Sequence, residues 1–459
     1  MISAILITIL FITFSVLLLK DARKWFPLTV AVLYYVLPKE ACMIGGAKPN
    51  ILILIVMLAV LAYKGYLRNL INERFGYVIL FYFVTSALIS LFSLDEIPFM
   101  TQFSFLIKKS LEMFLLGLIA VSFFVHTNDF SMFARTFYSV VLAGSIYGIF
   151  SYVVNANPYM TFVSTSFRDG IMNGADFFLS ESRGVIHGRI SGFSNHPLTW
   201  GQLHLLFVIV LPFFKKYLTQ CLFVSTLIFS SINIVLTGSR SSLVPLIIFL
   251  IGYVLIIKRK KFKQIVAFGL VVFSFVMITV SVVHNEYTDT IRAYLFFWDE
   301  SASEQIGVGG SSVSMREDQL ENAIYYIGKR NVLVGFGYGF VSNMSEDHFL
   351  RETLLGFESV VLKVLMEQGV LGFVCYLVMF VMLCVKLICE RTSMTDRLLS
   401  VLLFLSYLSS LFFTGERCTF QLFFFFLVLL SREDYILRRD FLLLSYVTQK
   451  KNRLISSLS

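Results

Sequence analysis

Charge is scarce in this chain: Asp, Glu, Lys and Arg make 15% of its 459 residues, and only eight prolines and three tryptophans occur. Hydrophobic residues make 57%, with 49 phenylalanines. That is more apolar surface than a soluble core of this length can bury, so a soluble globule is excluded. The six cysteines, Cys42, Cys221, Cys375, Cys384, Cys389 and Cys418, lie in or beside apolar runs, and none forms a Cys-x-x-Cys pair. Neither a disulfide framework nor a zinc site is implied. The histidines lack His-Glu-x-x-His spacing, and no DxD-like acidic cluster stands ready to hold a divalent ion against a sugar nucleotide, so no catalytic metal and no cofactor are expected. A balance of +9 can suggest nucleic acid, but here the bases gather in short turns between apolar runs. That is the positive-inside pattern of membrane proteins, and no nucleic-acid partner is expected.

What the chain has in quantity is apolar runs of span length. They fall at 2–19, 26–38, 50–63, 76–93, 110–125, 136–154, 197–214, 219–236, 241–257, 265–283, 359–385, 398–413 and 418–430, and predict an all-α polytopic transmembrane helical bundle of about 12–13 spans. Residues 2–19 lack a basic leader and a small-residue cleavage site and read as a retained span. Lys215–Lys216, Lys258–Lys263, the turn Lys386–Arg397 and the C-terminal tail mark the cytoplasmic side consistently. Alternate threading then places 155–196, 237–240 and 284–358 outside. The expectation is a single integral domain, 1–459, containing a large external loop, 284–358, and followed within it by a cytoplasmic tail, 431–459. Residues 440–459 of that tail suit an amphipathic helix on anionic lipid.

Acid is concentrated where base is not. Residues 284–358 hold twelve Asp or Glu and five Lys or Arg, −7 in a chain of +9. The external stretches nevertheless each carry arginine. Arg183 and Arg189 precede the span that begins at Pro197, Arg240 sits in the tight turn Thr237–Ser242 (TGSRSS), and Arg316 lies in SMREDQLENA. A lone external arginine runs against positive-inside statistics, so Arg240 reads as functional ahead of Arg189, and Arg183 as a solvated loop residue.

The run Gly335-Phe-Gly337-Tyr-Gly339 is no dinucleotide fingerprint, because no strand of a βαβ unit precedes it. Glycines at alternate positions suit a tight turn or re-entrant backbone passing close to a ligand or another helix. His196 before Pro197 reads as a cap, and Lys363–Glu367 as a structural pair at i,i+4. Glu358 stands where the polar loop enters an apolar helix. Partial desolvation there raises a carboxylate toward the range of a general base, although a helix-capping role is equally open from position alone. His348 is the second candidate base.

Taken together, RISGFSNHP before a span, TGSRSS between spans, SMREDQLENA followed by VLVGFGYGF, and FESVVLKVLMEQGVLGF entering a late span resemble the O-antigen polymerase and O-antigen ligase superfamily over about the last two-thirds of the chain. The resemblance implies a helical membrane fold with a large external loop, and transfer of glycans from undecaprenyl diphosphate at the outer face of the bacterial inner membrane. Arg189, Arg240 and Arg316 match the family's arginine positions, implied to hold the diphosphate. Where ligases carry a His-Asn pair, this chain reads Glu358-Ser359, which favours a polymerase with Glu358 as catalytic base and His348 behind it. The implied partners are undecaprenyl-diphosphate-linked glycans, membrane lipid and a chain-length regulator protein. A ligase using lipid A core as acceptor is the first alternative. A flippase is the second; it predicts charges along the spans and an internal repeat, and here only Glu112, Lys363 and Glu367 stand out.

Overall fold

The computed structural model describes residues 2–37, 49–64, 75–93, 97–164, 188–257, 264, 314–328, 331–341, 359–414 and 419–437. Among them every regular element is helical: α1 (Ile2–Lys20), α2 (Ala22–Ala31, continued by a π turn Val32–Val36), α3 (Pro49–Tyr63), α4 (Gly76–Leu91), α5 (Phe99–Phe123), α6 (Thr127–Val153) and α7 (Pro158–Ser164) come first. Then follow α8 (Pro197–Val210, tightening to a 3-10 turn Leu211–Tyr217), α9 (Gln220–Leu236), α10 (Arg240–Ile257), α11 (Ser314–Gly328), α12 (Val360–Glu390) and α13 (Met394–Phe413). A last helix, α14, occupies 419–437.

The protein is an all-α polytopic bundle. Five described helices are long and apolar enough to cross a membrane: Thr127–Val153, Pro197–Tyr217, Arg240–Ile257, Val360–Glu390 and Met394–Phe412. The lipid-facing surfaces carry helical stripes of large aliphatic side chains, Ile5, Ile9, Ile12, Val16 and Leu19 on α1, and Val374, Val378, Val381 and Val385 on α12. The spacing of three or four residues puts each set on one face, and in water such stripes would drive aggregation. By contrast every residue of α8 is buried, so this helix is the axis around which α9, α10 and α13 pack. The aromatic run of α14 closes the core. Phe423 stacks on Tyr407 of α13 at 3.8 Å between centroids, Phe424 meets Phe114 of α5 edge-on at 4.9 Å, and Phe425 reaches Phe26 of α2 and Phe133 of α6. Between helices in lipid, packing of this kind replaces the hydrophobic driving force available in water.

Two helices begin nine or more residues before their apolar windows. The window 110–125 becomes α5 from Phe99, because Lys108, Lys109 and Glu112 lower hydropathy without ending the helix. The window 136–154 becomes α6 from Thr127, whose start is fixed by Asp129, the carboxylate accepting the backbone N–H of Val125 and His126 at 2.9 Å each. The span expected at 265–283 lies outside the described residues.

One pole of the bundle is an ion-pair cluster. Glu433 of α14 accepts from Tyr217 at 2.6 Å and pairs with Lys216 at 2.7 Å. Arg391, just past α12, lies 3.1 Å from Asp434 and 3.8 Å from Glu433, with its guanidinium over the Phe213 ring. Burial raises the Asp434 carboxyl to about 6, with Arg391 opposing the rise. This group lies beyond the apolar run 418–430. Because its folded value stands above the 3.8 of the free side chain, the fold binds that proton more tightly than the unfolded chain does. The stability it contributes is full below about pH 4 and is lost as pH rises through 6. Replacing Arg391 by Ala should destabilise by about 3 kcal/mol, the lower end for a broken buried pair because Lys216 still serves Glu433. The loss, read as the melting temperature in detergent, should shrink as pH falls below 6 and Asp434 neutralises.

Candidate functional site

At the opposite pole from that cluster, short-range chemistry builds a tight turn. Thr237 donates its hydroxyl to the Ile234 carbonyl at 2.7 Å, ending α9, and its oxygen accepts the Ser239 N–H at 3.3 Å. Ser239 stands as N-cap of α10: its carbonyl takes the N–H groups of Ser242 and Leu243, and its hydroxyl bonds those of Ser241 at 2.9 Å and Ser242 at 3.4 Å. Arg240 is the first residue of α10 and is half-buried.

Onto this turn folds the segment before α8. Arg189, 5% exposed, donates from Nε to the Thr237 carbonyl at 2.7 Å, and the Ile190 N–H reaches the Leu236 carbonyl at 3.3 Å. The structure therefore brings together Arg189 and the Thr237–Ser242 turn, which are 48 residues apart in sequence. His196 caps α8 as expected, its Nδ1 accepting the Leu198 N–H at 3.0 Å. Gly201, one turn into α8, permits the close approach, since a Cβ there would stand 3.0 Å from the side-chain oxygens of both Ser242 and Thr237. Its neighbour Gln202 donates to the hydroxyl of Thr414 at the end of α13, and Ser359, the N-cap of α12, donates to the Phe412 carbonyl at 2.9 Å. The beginnings of α8, α10 and α12 thus meet the end of α13 at one pole. Two arginines among helix N-termini, whose backbone N–H groups point outward, make an environment suited to an anion.

The second feature of this half is a broken helix. At Gly369 α12 departs from helical geometry, with φ 62° and ψ −163°, a region essentially restricted to glycine. The run Asn331–Val341 enters the break. The N–H groups of Phe336 and Gly337 donate to the carbonyls of Met366 and Glu367 at 2.9 Å, and those of Val370 and Leu371 donate to Val332 and Leu333 at 3.0 Å. Gly335, Gly337 and Gly339 all have positive φ, so the alternating glycines form a re-entrant backbone turn, as their spacing predicts. Further bonds hold it from α4 and α5: Gln102 accepts the Tyr338 N–H at 2.9 Å, Tyr82 and Tyr338 share a hydroxyl bond at 2.9 Å, and Ser93 donates to the Val334 carbonyl at 2.9 Å. Glu367, 5% exposed, accepts the Val341 N–H at 3.2 Å, with Lys363 at 4.0 Å. The Lys363–Glu367 pair is present, but the carboxylate also anchors the turn.

Of the other expected site residues, Arg316 falls in the first turn of α11, of which only the backbone is described there. The helix packs on α12 through a small cluster of Ala323, Phe336 and Met366. Glu358 and His348, the candidate bases, and Arg183 lie outside the described residues. Sequence reasoning did not single out Gln202, Thr414, Gln102 or Gln368, isolated polar residues in apolar runs. Their signal was that a buried amide in a span requires a partner.

Fold and pole together define a multi-pass membrane protein with an arginine-bearing turn among helix ends. Residues 225–377, one third of the chain, match the family model described as Wzy_C: O-Antigen ligase. This match supports the O-antigen polymerase and ligase superfamily, an O-antigen ligase- or polymerase-type function in the membrane, and a glycosyltransferase-like role. The matched region contains Arg240, Arg316, the glycine turn and the helix break, whereas Arg189 precedes it. Among curated proteins no sequence matches.

Proposed function

We propose that this protein is a polymerase that joins undecaprenyl-diphosphate-linked oligosaccharide units into O-antigen or capsular polysaccharide at the outer face of the bacterial inner membrane. The observation that carries the proposal is the convergence of Arg189 with the turn bearing Arg240, at the pole away from the Lys216–Arg391–Glu433 cluster. Basic residues at that other pole favour it as the cytoplasmic side.

In this reading the arginines hold the donor diphosphate. Its bond to the anomeric carbon breaks with the electron pair leaving on the diphosphate, whose charge the guanidinium groups offset. The new bond forms from a hydroxyl of the acceptor's terminal sugar, and the hydroxyl proton passes to Glu358, with His348 as the alternative base. The leaving group needs charge neutralisation more than protonation, so no step is routed through a metal. A chain-length regulator would act from outside this chain.

The ligase reading uses the same donor chemistry with lipid A core as acceptor, and O-antigen ligase is the description of the matching family model. Purified protein given lipid-linked units, with and without lipid A core, separates the two. A ladder from the units alone supports the polymerase, and transfer only when core is present supports the ligase. In the same assay Glu358→Gln should lower turnover by about 10²–10⁴-fold if Glu358 is the base. Near-normal turnover would return Glu358 to helix capping.

A further inference from the structure

A cavity lies beside the re-entrant turn, between α4, α5 and α12, with a volume of about 70 Å³. Its wall includes Tyr82, Tyr338 and Tyr376, the cations Lys109 and Lys363, and the Glu367–Gln368 pair just before the helix break. Val360 lines it too, one residue after the Ser359 that ties α12 to Phe412. The cavity is thus lined in part by the first turns of α12, the helix start that Ser359 ties to the end of α13. Gln368 is 4% exposed, and its Nε2 finds no acceptor among the described residues. An amide donor left dry is destabilising, so this side chain is disposed toward an oxygen that enters from outside.

The lining discriminates among possible occupants. A lipid tail would leave the Gln368 amide facing hydrocarbon with no acceptor. A phosphate would suit the lysines, yet it would meet the buried carboxylate of Glu367, which already lies 4.0 Å from Lys363 and accepts from the turn. A sugar suits the lining: tyrosine ring faces for its C–H edges, the Gln368 amide donor for one of its oxygens, and the remaining lone pairs of Glu367 and of the bonded Tyr82–Tyr338 hydroxyls for its O–H donors. At about 10–15 Å³ per water the space takes on the order of five waters, enough for one hydroxymethyl, N-acetyl or ring-edge group rather than an oligosaccharide.

We propose that this cavity is a sugar-recognition subsite, which receives one edge of the acceptor's terminal sugar and reads it through Gln368, Tyr338 and Glu367. It rests on the glycosyltransferase reading and adds to it where acceptor specificity is decided.

The probe is the repeat-unit oligosaccharide released by mild acid from lipid-linked units of the cells that make this protein. Its binding to the full-length chain in detergent is measured by calorimetry. Gln368→Leu should weaken binding at least tenfold while leaving the melting temperature unchanged or higher, because a buried donor with no acceptor among the described residues is removed. Val364→Phe, which fills the same cavity, should abolish binding. Arg240→Ala should bind the oligosaccharide as the natural chain does. Unchanged binding in both cavity variants would overturn the proposal. So would a lower melting temperature in Gln368→Leu with binding intact, which assigns the amide to the fold, or competition by inorganic pyrophosphate with an undiminished response in Arg240→Ala, which assigns the cavity to anions. If the oligosaccharide binds as proposed but lipid-linked units are never joined, the subsite stands and the polymerase reading falls. If units are joined and the cavity variants keep wild-type half-saturation by acceptor, the reverse holds.

Discussion

Replacing Arg240 by Ala is expected to lower elongation by about 10²–10³-fold, the effect of deleting one positioned charge donor from the site where negative charge develops. The protein should still reach the membrane at its normal level. Arg240 opens α10 and is half-buried, whereas the cap and turn contacts beneath it come from Thr237, Ser239 and Ser242. Removing the side chain therefore leaves the turn's own hydrogen bonds in place. Arg240→Lys keeps the charge but loses the planar fork that meets two phosphate oxygens together, so it should recover only part of the rate. A membrane extract from Arg240→Ala cells with normal glycan chain length would remove the diphosphate role. Arg189 should behave differently, because its Nε bond to the Thr237 carbonyl makes it part of the turn. Arg189→Ala combines lost activity with a lower melting temperature.

The largest structural effect is expected at Gly369. Its φ of 62° and ψ of −163° cost any other residue about 1–3 kcal/mol of backbone strain. An alanine Cβ there would also press into the carbonyl of Leu333 and lie 2.6 Å from the Val332 oxygen. These obstacles are backbone and cannot rotate away. Gly369→Ala must therefore either expel the Asn331–Val341 turn or straighten α12. Either course breaks the backbone bonds of Phe336, Gly337, Val370 and Leu371 across the joint, each worth about 0.5–1.5 kcal/mol net. We expect a lower melting temperature and loss of activity together. Gly76→Ala is the control: nothing lies within 4 Å of a Cβ at that helix start, and its stability should be unchanged. Equal stability of the two variants would mean that the turn does not occupy the break.

How much of this could be read from the chain depends on the range over which each residue acts. Pro197 with His196 before it, and Thr237-Gly-Ser239 ahead of Arg240, are local signals, and the helix starts fall where those signals stand. Apolar windows located the helices but misplaced the beginnings of α5 and α6. A window average is pulled down by Lys108, Lys109 and Glu112, while the backbone needs only continued hydrogen bonding and a cap such as Asp129. The glycine turn was legible as a re-entrant backbone. Its destination was not: nothing in VLVGFGYGF says that Phe336 and Gly337 will bond Met366 and Glu367. That register is decided by three-dimensional closure around Gly369. The pairing of Arg189 with Thr237 was hidden for the same reason, since the contact spans 48 residues. Glu367 read as half of an i,i+4 pair because sequence spacing displays Lys363 and cannot display the N–H of Val341.

The most direct test of the account is to give the purified full-length chain only lipid-linked repeat units, and to count polyprenyl diphosphate released against glycosidic bonds formed. The account predicts a ladder of products with one diphosphate carrier released per bond, both lost in Arg240→Ala. Folded protein that forms no bond and releases no carrier from native units, with or without lipid A core, would contradict it.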